Sequence, residues 1–154
     1  MMTYNQQTGL SLIEVLVAVA VFAFGLLAIA ALMANGMRMS TSTMHRSFAI
    51  NQAYDMADRI RANPPPEVGG SVDYDGITGT GAGDPGCIEG DPGCTPAQIK
   101  DFDQFQWNTD NGIFLPSGVG TVSKTLDIYT ITVAWDDDRD PDTDPIQFVF
   151  DFRP

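Results

Sequence analysis

The sequence predicts an α+β fold in which one long N-terminal helix, membrane-spanning in its first half and amphipathic in its second, packs on a small antiparallel C-terminal β-sheet. Three observations carry this. From Val15 to Ala34 run twenty residues without a charge or a proline, which at about 1.5 Å per residue spans the roughly 30 Å hydrocarbon layer of a bilayer. From Met44 to Ile60 apolar residues recur at three- and four-residue steps, the helical period. Residues 125–135, "TLDIYTITVAW", and 146–152, "IQFVFDF", alternate in the strand period and are rich in β-branched and aromatic side chains.

At 154 residues the chain has room for about one domain, less whatever is given to a membrane. With 8 basic against 20 acidic residues, its formal net charge of -12 opposes the counterion release that drives nucleic-acid binding. Acidity also disfavours docking on anionic headgroups, so membrane attachment falls to apolar insertion.

The apolar run lacks the basic n-region, short core and following cleavage site of a secretory signal. "MMTYNQQTG" before it carries no Lys or Arg, while Arg38, His45 and Arg46 follow it. The positive-inside bias alone would put the C-terminal side in the cytoplasm. An ordinary anchor is the plain reading, and Glu14 argues against it. A carboxylate near the hydrocarbon edge costs up to about a few kcal/mol unless it is paired, so a partner has to be named. Cleavage between Gly9 and Leu10 supplies one: the new α-amine lies one helical turn before Glu14 and can also reach the Glu14 of an adjacent copy.

The stretch "GLSLIEVLVA" resembles the prepilin signal of the type IV pilins and related pseudopilins. The resemblance implies cleavage by a prepilin peptidase after Gly9, N-methylation of Leu10, and a register role in assembly for Glu14. It further implies a leader over 1–9, a transmembrane and assembly helix over 10–36, and a periplasmic pilin-like globular domain over 37–154. Two features depart from the family pattern: the leader has no basic residue, and Leu10 stands where Phe is commonest. "GLLAIAALM" and "AYDMADRIRAN" resemble the minor pilins of the type IV pilus modification group. That likeness implies priming and assembly of the pilus, twitching motility and adhesion. The implied partners are the prepilin peptidase, other minor pilins, the major pilin, the inner-membrane assembly platform and a tip adhesin. The implied location is the inner membrane and then the pilus at the cell surface, with no cofactor or metal. A minor pseudopilin of a type II secretion system shares the same start and is the alternative.

In chain order, the long helix is expected to run from about residue 10 to about 62 and to stop at Asn63-Pro64-Pro65-Pro66. Met44, Phe48, Ala49, Ala53, Met56, Ala57 and Ile60 form its apolar stripe, and Arg46, Asp55, Arg59 and Arg61 lie on its polar face. Gly25 and Gly36 each cost about 1 kcal/mol relative to Ala in a helix in water. They read as sites of close helix approach, with a bend or melting point at Gly25 as the alternative.

Residues 64–95 are dense in Pro and Gly and read as surface loop rather than core. They hold the echo Asp84-Pro85-Gly86-Cys87 and Asp91-Pro92-Gly93-Cys94, whose turns can bring Cys87 and Cys94 together. In the periplasm a disulfide is expected, worth about 2.5 kcal/mol for so short a loop. The rival zinc site has too few ligands.

A second helix is expected from a Thr95, Pro96, Gln98 capping box, burying Ile99, Phe102 and Phe105 or Gln106 and ending at Asn111-Gly112. Tyr129, Ile131, Val133 and Trp135 form one inner strand face, and Ile146, Phe148, Phe150 and Phe152 the other. Between the strands, Asp138, Asp140, Asp142 and Asp144 have the two-residue spacing of a calcium loop. Thr143 and Val149 stand where such a loop needs Gly and Glu, so a solvated hairpin loop is expected. Catalysis finds little support: His45 is the single histidine, expected at the surface, and no nucleophile or nucleotide motif is present. An anchored enzyme using Asp73 and Asp75 is the remaining alternative.

Overall fold

The computed structural model describes residues 9, 11–63, 72–79, 81, 83–88, 90, 93–137 and 142–154. In chain order the elements are α1 (Leu12–Ala62), β1 (Ile77–Thr78), α2 (Pro96–Phe114), β2 (Val119–Thr125), β3 (Ile128–Trp135) and β4 (Ile146–Phe152). The described chain divides into two compact units between Thr41 and Ser42.

In the first unit the α1 residues up to Thr41 are all solvent-exposed, the large apolar ones included. The helix is long and apolar enough to cross a membrane. Its last helical residue, Ala62, is followed by Asn63, whose N–H still donates to Arg59 O at 3.1 Å. A residue ahead of proline disfavours helical backbone, which is why the chain leaves the helix here.

The second unit is an antiparallel sheet in the order β1-β2-β3-β4 with the later turns of α1 against one face. Ala49, Ala53, Met56, Ala57 and Ile60 on α1 meet Tyr129, Ile131, Val133 and Trp135 on β3 in one core. Alanines on the helix let its backbone come close, and the strand period sends every second β3 residue inward.

Several expectations are corrected. The predicted strand 125–135 is the second half of a hairpin: β2 ends at Thr125, Leu126 takes a left-handed φ of 57°, and β3 returns. Without Gly or Asn at this turn, the alternation of "TVSKTLDIYTITV" reads straight through it. The Pro/Gly-rich stretch is not all surface, since Tyr74 and Ile77 are core residues and Ile77 opens β1.

Helix α2 starts at the expected Thr95 capping box but runs past Asn111-Gly112 to Phe114, because Asn111 O accepts the Leu115 N–H at 3.0 Å. Its buried face is Asp103, Trp107, Asn108 and Asn111, with Ile99, Phe102, Phe105 and Gln106 only half-buried. Trp107 sets that rotation. Its indole N–H donates to Gln52 O at 2.9 Å, and its ring lies over Gly120, where a Cβ would come within 2.2 Å of it. On the α1 stripe Met44 is exposed and the neighbouring His45 is buried in its place.

Candidate functional site

The N-terminal segment is built on helix-end geometry. Ser11 O accepts the N–H groups of Glu14 at 3.0 Å and Val15 at 3.3 Å, so the first turn closes on Ser11 and places Glu14 within it. An acid in the first turn of a helix faces the positive end of the macrodipole and unpaired backbone N–H groups, worth about 0.3–1 kcal/mol. Glu14 is exposed, as is every residue from Leu12 to Thr41. The apolar face therefore finds no cover within its own unit, and Glu14 is its one acid. Gly9 is exposed, with nothing within 4 Å of where a Cβ would stand. Leu10, the expected mature terminus, lies outside the described residues.

The second unit holds two clusters of charged and polar groups, around Arg59 and around Asp73, in structural bonds. Arg59 donates to Asp55 at 2.7 Å, Asp103 at 3.0 Å and Gln106 at 2.8 Å. Tyr74 donates to the other Asp103 oxygen at 2.6 Å, and Asn63 donates to Tyr74 Oη at 3.0 Å. Burial, and then the bond to Asp103, push the Tyr74 phenol well above its ordinary value. This network ties the end of α1 to α2 and to the buried loop residue Tyr74.

Asp73 accepts from Tyr129 at 2.7 Å and Lys124 at 3.1 Å, while Asp75 accepts the Lys124 N–H at 2.7 Å. Burial alone would raise the Asp73 carboxyl, but the Tyr129 and Lys124 bonds outweigh it and hold it below the usual carboxylate range. The two carboxylates of the enzyme alternative thus fasten the loop to the β2–β3 hairpin.

His45, expected at the surface, is buried and donates from Nδ1 to Asp137 Oδ1 at 2.7 Å. Burial opposes ionisation of Asp137, yet bonds from Ser42 and His45 hold its carboxyl low. A single histidine on a helix gives no sign of a partner 92 positions away. Asp103 and Arg59 were equally hidden, because the helical period flags apolar faces and these are polar.

Cys87 and Cys94 are joined in a disulfide with Cα atoms 5.0 Å apart. Among the described residues no three His, Cys, Asp or Glu side chains converge as cation ligands. Asp138 and Asp140 of the calcium-spaced run lie outside the described residues.

An exposed apolar helix with one acid in its first turn, joined to a small unit of helix on antiparallel sheet, defines a pilin-like α+β architecture. Residues 4–30 match the family model described as the Prokaryotic N-terminal methylation motif. The chain thus carries the prepilin-type signal of type IV pilin-like and pseudopilin proteins, which implies processing by a peptidase and assembly with pilus-type components. Such proteins are structural, and the motif together with the apolar helix points to membrane anchoring. No match was found among curated proteins or among solved structures.

Proposed function

We propose that this chain is a minor pilin, similar to PilV, the type IV pilus modification protein. It joins other minor pilins to prime assembly of the pilus on the inner-membrane platform, supporting twitching motility and adhesion through a tip adhesin. Residues 1–9 are the leader, 10–36 the transmembrane and assembly helix, and 37–154 the periplasmic domain. Prepilin peptidase cuts between Gly9 and Leu10 and methylates Leu10. The apolar helix then leaves the bilayer for a bundle with neighbours that include the major pilin, and Glu14 sets axial register against a neighbour's terminal amine.

The carrying observation is Glu14 in the first turn of a helix whose apolar side chains, through Thr41, have no cover in their own unit. A carboxylate that enters a bundle needs a cation there, and cleavage creates one. The minor pseudopilin of a type II secretion system uses the same chemistry. Cross-linking in the native host with identification of the neighbours separates the two.

Glu14→Ala is expected to leave cleavage intact and to lower recovery of the chain in sheared surface fibres at least tenfold, since an unpaired buried charge costs about 3–5 kcal/mol. Unchanged recovery and normal twitching would sink the register role. Gly9→Ala is expected to leave the chain at precursor size on a gel, and a smaller band would move the cleavage site elsewhere.

A further inference from the structure

We infer that the outer edge of β4 is a docking edge for one further strand, supplied by a basic, strand-forming segment of a different polypeptide. β4 pairs with β3 alone, so among the described residues its other side presents a row of backbone N–H and C=O groups with no strand against it. Its seven residues make an edge about 24 Å long at ~3.4 Å per residue. Folded sheets blunt such edges with lysine, proline, a bulge or shortness. "IQFVFDF" has no Lys or Pro and pairs with β3 residue for residue from Ile146 to Phe152.

The floor beside the edge is apolar and half-open. The inner residues of β3 are buried, whereas Ile146, Phe148 and Phe150 opposite them on β4 are only half-buried. On α1 the Tyr54 ring lies 4.7 Å from that of Phe150 and is 49% exposed. Ile50, one turn earlier, is 37% exposed. A strand added about 4.8 Å beyond β4 brings alternate side chains over Ile50 and Tyr54 and closes off Phe148 and Phe150, while its backbone satisfies the edge. The segment that fits alternates apolar inward and polar outward.

Charge selects its polar side. Asp151 stands exposed on the outer face of β4, where Thr130 Oγ1 of β3 donates to its Oδ1 at 2.7 Å, and a cation on an adjacent strand pairs with the same carboxylate from the other side of the ladder. A second copy is a poor occupant, because each chain carries a formal net charge of -12 and two such chains repel. This surface lies outside the prepilin segment and does not depend on which machine the chain serves.

The test is hydrogen exchange read by mass spectrometry on the full-length chain, first purified alone in detergent and then extracted from host membranes with its cross-linked neighbours. Alone, β3 is expected to be protected throughout, while about half the amides of 146–152 exchange within seconds. With neighbours, those amides are expected to slow at least 100-fold. Protection of β4 in the isolated monomer, protection through a dimer of the chain, or no gain with neighbours would each overturn the proposal. Asp151→Lys is expected to reduce the gained protection at least tenfold with β3 unaltered. Val149→Lys, at an outward position 52% exposed, does the same should the first variant misfold. Full retention in a variant with β3 intact would overturn the basic partner.

Discussion

Residues 12–41 and residues 42–62 of α1 share one backbone geometry and differ in what surrounds their apolar side chains. In the first stretch every side chain is exposed; in the second, Ala49, Ala53, Met56, Ala57 and Ile60 are covered by the sheet. An amphipathic stripe can be satisfied by one domain, whereas a helix apolar all round needs lipid or other helices on every side. One stretch is therefore stabilised by the chain itself and the other by its surroundings. Substitutions in the second should be read in melting, and substitutions in the first in assembly.

The strongest challenge to that division is Trp107→Ala. The indole is fully buried, anchors α2 to α1 through Gln52 O, and fills the space that Gly120 leaves open. Truncation should cost about 3–5 kcal/mol of unfolding free energy by denaturant titration of the full chain in detergent. Phe22→Ala, at an exposed ring in the first stretch, should shift the same midpoint by no more than about 0.5 kcal/mol. A comparable loss from both would mean that the first stretch also belongs to the cooperative unit.

Reduction of Cys87–Cys94 comes next. The bond closes a short loop, with a sequence separation of 7, and the chain-entropy argument gives about 2.5 kcal/mol. Its loss should lower the melting temperature without changing membrane extraction. Unchanged melting would mean that this loop is already open when the core unfolds.

The acid limb of stability sharpens the comparison further, since its groups all lie after Thr41. Asp73 and Asp137 have folded values held below the ordinary 3.8. Their contribution is therefore complete above about pH 4 and is lost as pH falls through the depressed values. A melting temperature followed from pH 7 downward should be flat with respect to these two groups and then fall below about pH 4. Asp73→Asn and Asp137→Asn should each shallow that fall. The slope should be modest, because the Asp73 carboxylate is partly solvated.

What could be read before folding follows the same division. The long helix, its stop before Pro64, the α2 capping box and the inner faces of β3 and β4 were legible, because period, caps and proline act locally. Four features were not: the β2–β3 turn at Leu126-Asp127, the entry of Tyr74 and Ile77 into the core, the polar buried face of α2, and the His45–Asp137 bond. Each depends on a partner distant in sequence or on a conformation its residues do not advertise. At the candidate site, the prepilin-type signal over residues 4–30 was legible from its residue pattern, the roles of Gly9 and Glu14 are the proposal made above, and the absence of cover along residues 12–41 needed the fold.

The smallest expected effect on the chain itself is at Gly25, and it asks what the first stretch does once surrounded. Nothing lies within 4 Å of a Cβ at this position, so Gly25→Ala meets no clash in the chain and should leave the melting of the second unit unchanged. Helix propensity alone favours Ala by about 1 kcal/mol. If Gly25 serves close approach of a neighbouring helix, incorporation into fibres should fall with side-chain size, Leu being far worse than Ala. If Gly25 marks a point where the helix opens on packing, Ala should impair incorporation about as much as Leu, because both restore the same backbone preference. Incorporation measured for Gly25→Ala and Gly25→Leu side by side decides between steric and conformational roles. Equal, wild-type incorporation of both would remove Gly25 from assembly altogether.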